Sequence, residues 1–389
     1  MDQRPRILFV DDEPHILQGL RRMLHSASRE WSMEFVPGAE AALRRIGEQP
    51  IDVLVTDMRM PGMDGSQLLE QVRQRWPAVT RIVLSGHSEQ EGVIRAVHTA
   101  HQYLAKPCDA DVLKRALRRS LQLRERIADP ALRQLIAGLS HLPTLPDLYV
   151  DITRALGDPN CTAKDVGAIV ARDVAFSLKL LQIVNSAFFG LPRAVSDPAE
   201  AVVLLGVELV RAIVLGAKVL SAAETRLGDS AEVRRLGGRA LRTAHLARDC
   251  ATALELPRSQ REEAFLAGLT VDLGRLVLLE NRPEHCLRCD ALVRGGMAEP
   301  DAETAVFGVP REIVSAALLA TWGLPDAVVE AVAFAHRPRE SVAQTPSPLA
   351  CVHVARACLD EAARPLDGDC MAALGIADAI ERWRATRTG

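Results

Sequence analysis

Two hydrophobic periodicities divide the chain. Up to about residue 107, short apolar runs alternate with amphipathic stretches. The runs are Arg6–Val10, Ile51–Asp57, Arg81–Leu84 and Tyr103–Ala105, and each closes on a polar residue or a turn. That alternation predicts parallel strands with helices on both faces of one sheet. From Asp109 the period changes to three or four, with Val112, Leu113, Ala116, Leu117, Ser120, Leu121 and Leu123 on one face. The opposite face is basic (Lys114, Arg115, Arg118, Arg119, Arg124, Arg126), either simply solvated or able to dock on an acidic surface. The pattern predicts a helix that runs past the first domain and serves as a semi-rigid connector over 109–137, with a stop signal at Asp129-Pro130.

Beyond Leu142-Pro143-Thr144-Leu145-Pro146 only the helical period remains. It recurs over 165–189, 198–223, 232–254, 260–280, 301–321, 325–335 and 347–363, punctuated at Asp158-Pro159, Gly190-Leu191-Pro192 and Leu324-Pro325. An all-α second half follows. Residues 364–389 read as a tail with Asp367-Gly368-Asp369 and a helix ending near Trp383.

At 389 residues the chain exceeds one ordinary core, so two or more domains are expected. The 48% hydrophobic and 25% charged content is that of a globular protein, and a net charge of −3 gives no general case for binding nucleic acid or membranes. No apolar run approaches the ~20 residues that span a bilayer, and Met1–Pro5 is not a signal peptide, so a cytoplasmic protein with reduced thiols is expected. Of the 8 cysteines, only Cys286-Leu287-Arg288-Cys289, beside His285, has metal-like spacing. A structural zinc wants four ligands and no second such pair exists, so no zinc is expected.

The strand ends carry the chemistry. Arg6–Val10 runs into Asp11-Asp12-Glu13, and Ile51–Asp57 ends on a carboxylate followed by Met58-Arg59-Met60-Pro61-Gly62-Met63-Asp64-Gly65. Arg81–Leu84 ends at Ser85-Gly86, and Tyr103–Ala105 ends at Lys106-Pro107. The C-terminal edge of an open α/β sheet is where such folds place ligands. Carboxylates crowded there repel unless a cation intervenes, and magnesium suits one or two carboxylates plus a phosphate. A carboxylate is a competent nucleophile for an acyl phosphate. Lys106 would offset phosphoryl charge, and the Ser85 hydroxyl would hydrogen-bond a phosphoryl oxygen.

In order and spacing these residues resemble the receiver domain of two-component response regulators over residues 4–125. The resemblance implies a flavodoxin-like, doubly wound, five-stranded parallel sheet. It implies Asp57 as phosphoacceptor, and Asp12, Asp57 and the Arg59 backbone carbonyl as Mg2+ ligands supported by Asp11. Lys106 would lie on the phosphoryl group, Ser85 and Tyr103 would form the switch pair, and Lys106-Pro107 would be cis. A sensor histidine kinase is the implied partner.

Ser177 through Gly190, containing Asn185-Ser186-Ala187-Phe188-Phe189-Gly190, is followed by Ala201-Val202-Val203-Leu204-Leu205-Gly206. With Leu142–Pro146 and Trp322-Gly323-Leu324-Pro325, these resemble the HDOD family, an all-α output domain related to HD phosphohydrolases, here assigned to 138–363. Asn185 is read as a helix cap or internal polar tie as readily as a ligand contact. The metal-binding pattern of the parent superfamily is broken. Val271 stands before Asp272 where a His belongs, Arg311 opens a helix where a His belongs, Ala335 precedes His336 in place of a His pair, and Arg356 replaces the last acid. The first His falls near Arg242 or His245. No metal is therefore expected in the HDOD half.

Arg311 and Arg356 either turn toward Asp272 and supply the charge a metal would have given, or snorkel to the surface. A phosphate-bearing small ligand at these arginines is a further reading. Taken together, the sequence predicts a response regulator with a non-hydrolytic HDOD output acting by protein–protein interaction, with a downstream protein or a second copy as partner. The alternative is an HD-type cyclic nucleotide phosphohydrolase under receiver control. A DNA-binding regulator would need a basic recognition helix, and the only dense basic stretch is the connector, so no nucleic-acid partner is expected.

Overall fold

The structure, a computed structural model, describes residues 4–85, 99–139, 151–152, 155, 161–185, 195–206, 210, 231–341, 345–359 and 365–385. It divides into two compact units, the first holding Met1–His141 and the second the bulk of the chain after Leu142.

In the first unit, β1 (Arg6–Val10), β2 (Ser32–Val36), β3 (Val53–Asp57), β4 (Thr80–Ser85) and β5 (Gln102–Ala105) form a parallel sheet in the order β2-β1-β3-β4-β5. Successive side chains along a strand face opposite ways, and both faces are apolar. Leu8, Val10 and Leu54 pack under α2 (Ala39–Glu48) and α3 (Gly65–Arg75), through Ala42, Ile46, Leu68 and Val72. Ile7, Phe9, Val53 and Val55 pack under α1 (Pro14–Met23) and α4 (Ala110–Glu125), through Leu20, Leu113, Leu117 and Leu121. This explains why β3 is buried at all five positions and reads as a continuous apolar run. The sheet is the doubly wound, flavodoxin-like arrangement expected. Its order reverses between β1 and β3, which sets Asp11 and Asp57 on either side of the switch-point crevice. Residues 86–98, between β4 and β5, lie outside the described residues.

The connector differs from expectation. No single helix covers 109–137: α4 ends at Glu125 and α5 begins anew at Pro130, ending at Gly138. Pro130 has no N–H for a continuing ladder, and the Asp129 carboxylate caps the new helix by accepting from Ala131 N at 2.8 Å. Nor is the basic face of α4 free. Arg118 forks onto Glu30 at 2.8 and 3.1 Å and Lys114 reaches Ser26 at 3.0 Å, so part of it is tied down within its own unit.

The second unit is helical throughout its described residues: α6 (Ala163–Val170), α7 (Val174–Val184), α8 (Pro198–Leu205), α9 (Ala231–Ala253), α10 (Arg258–Thr270), α11 (Leu273–Asn281), α12 (Pro283–Arg294), α13 (Glu299–Phe307), α14 (Arg311–Thr321), α15 (Asp326–Ala333), α16 (Pro348–Leu359), α17 (Gly368–Ala373) and α18 (Ala377–Ala385). Three stretches expected as continuous are broken. Asp173 accepts from Phe176 N at 2.8 Å and splits 165–189. Gly308, at φ +78°, and Pro310 split 301–321. The third break, at Val271-Asp272 within 260–280, carries a site and is treated below. Residues 207–209 and 211–223 of the expected 198–223 helix lie outside the described residues. Among the described residues, no single helix is long and apolar enough to cross a membrane.

Residues 365–385 are more than a tail. Met371, Ile376, Ile380 and Trp383 are buried, and α18 packs against α9. Arg339 forks onto Asp367 at 2.6 and 2.8 Å and reaches Asp369 at 2.6 Å, and Asp367 N donates to His353 Nε2 at 2.9 Å. Replacing Ile380 by Ala is therefore expected to cost about 2–5 kcal/mol of stability. Urea unfolding measures this, and an unchanged midpoint would mean that α18 is not part of the core.

Candidate functional sites

The C-terminal edge of the sheet gathers the first set of side chains. β1 delivers Asp11, buried, and the half-buried Asp12; β3 delivers Asp57, 6% exposed. β5 delivers Lys106, whose ammonium donates to Asp11 Oδ2 at 2.7 Å and also to Asp57 Oδ1. The outer oxygens are held by backbone: Glu13 N donates to Asp11 Oδ1 at 3.0 Å and Arg59 N to Asp57 Oδ2 at 2.9 Å.

The loop after β3 is pinned back on itself. Gly65 N donates to Met58 O at 2.9 Å, and a Cβ on Gly65 would lie 2.1 Å from the Asp57 carbonyl, so only glycine fits there. Asp64 and Gln67 then form a capping box at the start of α3. The Lys106–Pro107 peptide is cis.

Burial raises the Asp57 carboxyl above its ordinary value; Lys106 and the Arg59 N–H pull it down, while Asp11 adds to the rise. A carboxylate of raised pKa is a better nucleophile than an exposed one. For Lys106 burial works against the charge, but its hydrogen bonds to Asp11 and Asp57 outweigh it, and the ammonium is held above its ordinary value. Three carboxylates beside one ammonium leave a surplus of negative charge that suits a divalent cation. The hard oxygens of Asp12, Asp57 and a backbone carbonyl are the donors magnesium prefers.

Tyr103 is buried, and its hydroxyl has no hydrogen-bond partner among the described residues; burial keeps the phenol protonated. Ser85 ends β4 opposite Ala105, and its side chain lies outside what is described. The structure thus brings Asp11, Asp57 and Lys106 into direct contact and sets Asp12 and Arg59 beside them in sequence.

The second set is buried in the helical unit. Thr270 ends α10 and Asp272 precedes α11, so the chain turns at Val271-Asp272. Ser315 on α14 latches this turn: its Oγ donates to Val271 O at 2.9 Å and accepts from Gly274 N at 2.7 Å. A Cβ on Gly274 would lie 2.2 Å from Arg311 O, so the missing side chain is what lets the start of α14 approach the start of α11.

Asp272 is 3% exposed and faces three guanidiniums. Arg356 Nη2 lies 3.2 Å from Oδ1, Arg239 Nε 3.3 Å from Oδ2, and Arg311 Nη1 3.9 Å from Oδ1. The arginines have further acids. Arg311 pairs with Glu299 and, through Nε, with Glu303 at 2.7 Å; its backbone N donates to Glu303 Oε2 at 2.9 Å. Arg356 Nη1 lies 2.6 Å from Glu312 Oε1.

The other residues singled out from sequence lie elsewhere or differ in role. His245 is exposed and stacks edge-on to Phe265. Arg242 is exposed on the same helix, so the position facing Asp272 from α9 is Arg239, one turn earlier. His336 is half-buried, its Nε2 has no hydrogen-bond partner among the described residues, and burial lowers its pKa against the pull of Glu312. Asn185 closes α7 half-buried, and Ser186–Gly190 lie outside the described residues. Cys286 and Cys289 are buried in α12, and burial pushes both thiols up to about 11, whereas zinc binds thiolates.

Arg239, Glu299, Glu303 and Glu312 were missed. The available signals were Glu299 and Glu303 four apart on one helix, which share a face, and an arginine among the small residues Gly237, Gly238 and Ala240.

Burial raises the Asp272 carboxyl, but Arg356, Arg311 and Arg239 outweigh it and hold it down at about 2. Within the cluster one acid gives up its charge most readily. Glu303 takes that part: burial pushes it up to about 7 against the pull of Arg311, with Glu312 and Glu299 adding to the rise.

The two acids act oppositely on stability. Asp272 contributes stability above its ordinary 3.8 that is lost as pH falls toward about 2. Glu303 contributes stability present below its ordinary 4.5 and lost as pH rises through about 7. Glu303→Gln mimics the protonated form. It is expected to melt above the unaltered protein in mildly alkaline buffer, with the advantage gone near the ordinary glutamate value. A variant that melts lower in alkaline buffer would mean that Glu303 is an ordinary ionised partner of Arg311.

Comparison with known proteins identifies both domains. Residues 7–118 match the family model of the response regulator receiver domain and residues 142–338 that of the HDOD domain. The hydrogenase transcriptional regulatory protein HoxA of Cupriavidus necator is 34% identical over 185 residues, covering 44% of this chain and 38% of HoxA. The chain thus spans well under half the length of that relative. Among solved structures, the signal receiver domain of an HD domain-containing protein from Pseudomonas fluorescens Pf-5 is 33% identical, covering 31% of this chain and 96% of that one at a TM-score of 0.30. The MmoQ response regulator from Methylococcus capsulatus is 23% identical and covers 62% of this chain and 97% of its own at a TM-score of 0.46. With half of its length matched by that one domain, the chain belongs to the HDOD family, and the receiver domain ahead of it is that of a two-component response regulator.

Proposed function

We propose that this protein receives a phosphoryl group on Asp57 from a sensor histidine kinase and passes the signal to an HDOD domain that acts by binding other proteins, without hydrolysis. The observation that carries the reading is the Lys106 ammonium bonded at once to Asp11 and Asp57 at the sheet edge. One Asp57 oxygen attacks phosphorus, the O–P bond forms as the donor's N–P bond breaks, and the leaving imidazole nitrogen takes up a proton. Lys106 stays charged throughout and stabilises the phosphoryl oxygens. Asp12, Asp57 and the Arg59 carbonyl would hold Mg2+, with Asp11 in support; when bound, it neutralises phosphoryl charge.

The new group adds roughly two negative charges. Ser85 and Tyr103 then answer it as the switch pair, and their movement biases a pre-existing equilibrium of the receiver surface. The reader of that change is a downstream protein or a second copy of the chain, in the cytoplasm. Support for a non-catalytic HDOD domain comes from the arginines at 311 and 356 and the valine at 271, none of which ligates a metal or activates water.

Incubation with acetyl phosphate and Mg2+ tests the reading. The expected result is a phosphoprotein gel shift in the unaltered protein, none in Asp57→Asn, and a rate lowered on the order of a hundredfold in Lys106→Ala. An Asp57→Asn protein that is labelled as well as the unaltered one would overturn the assignment.

A further inference from the structure

We infer that the half-buried Arg239 and the buried Arg311 and Arg356 stand where HD enzymes keep their metal, making the HDOD core a permanently closed, metal-independent ionic pin between helices. The inference rests on the non-catalytic reading of this domain and adds what occupies the site instead.

The geometry carries it. Asp272 keeps the carboxylate of the HD pair, and its two oxygens are met by three guanidinium groups at 3.2, 3.3 and 3.9 Å. A guanidinium offers only N–H donors and never loses its charge, so it cannot ligate a cation and repels one. Two of the three stand at positions where the superfamily pattern calls for a histidine and an acid. The third, Arg239, comes from the helix expected to supply the first histidine. The donor set therefore does not fit a divalent metal.

The same groups do the mechanical work of one. They join five elements: Arg239 from α9, Asp272 ahead of α11, Glu299 and Glu303 from α13, Arg311 and Glu312 from α14, and Arg356 from α16. Arg311 and Arg356 are fully buried yet never face an apolar void, since Arg311 lies against three acids and Arg356 against two. Removing one member of such a cluster strands its partners, whereas removing two that pair strands fewer.

Two measurements on the full chain test this. The first is a double-mutant cycle of Asp272→Asn and Arg356→Met, read as hydrogen-exchange protection of the peptides around Val271 and Gly274. Each single change is expected to raise the opening equilibrium. The pair is expected to raise it by about tenfold less than the product of the two. Independent, multiplicative effects would overturn the inference.

The second uses Mn2+ alone as probe, in an Asp12→Asn/Asp57→Asn background that removes the receiver's own acids. No ion is expected to remain after desalting, and melting is expected to be unchanged by chelator. A retained equimolar ion would overturn the inference even if the first variants fail to fold. Hydrolysis of a cyclic dinucleotide without any metal would instead refute the non-catalytic reading and leave the arginine assignment standing.

Discussion

A carboxylate taken out of water must be met by positive charge within a few ångströms or it neutralises. Each half of this chain is organised around one such group. At Asp57 the partner is one ammonium on a flexible stem, shared with Asp11 and 25% exposed. Its carboxyl is left with a raised pKa, and Asp12 beside it has no such tie to Lys106. That is an incompletely balanced site, and incomplete balance is what the proposed uptake of a cation and a phosphoryl group requires. At Asp272 the partners are three rigid guanidiniums, and the carboxyl is held near 2. That carboxylate is compensated from three sides. One is built to change its charge and the other to keep it.

The consequence for signalling is that the two domains divide the chemistry. Under the proposed function covalent change belongs to the sheet edge, where Lys106, the pinned loop after β3 and the backbone N–H of Arg59 hold Asp57. Around Asp272 the helical domain sets guanidiniums at 3.2, 3.3 and 3.9 Å from the carboxylate, within a core that is otherwise mostly apolar. On the proposed reading, what it offers is surface. On that reading the phosphoryl group is sensed through which faces are presented, and two-state bias of a protein surface needs no new catalytic group.

Much of this was legible in the chain. The receiver announces itself because its functional side chains follow apolar runs, and a strand that is buried on both sides is easily seen. Asp11, Asp57 and Lys106 are therefore recoverable by position alone. The helical half hides more. Periodicity marks the face of a helix that looks inward but does not say which inward-facing polar residues meet, since they come from helices far apart in sequence. So Asp272, Arg311 and Arg356 could be found where a motif marked them, while Glu303, Glu312 and Arg239 could not. The breaks at Asp173, Val271-Asp272 and Gly308 were lost for a related reason: an apolar period carries across a kink unless the capping side chain is recognised.

The C-terminal residues show how far the ionic cluster reaches. His353 lies three residues before Arg356 on α16, and its ring is fixed at both nitrogens: Nδ1 by Ala335 O at 2.8 Å, and Nε2 by the Asp367 N–H at 2.9 Å. Only the neutral ring with its proton on Nδ1 satisfies both. Arg339 then fastens Asp367 from outside. The family match stops at residue 338, yet the helix that places Arg356 is held from behind by residues after 364. A buried guanidinium is useful only if its helix cannot rotate. The segment that reads as a polar tail therefore belongs, physically, to the support of the core.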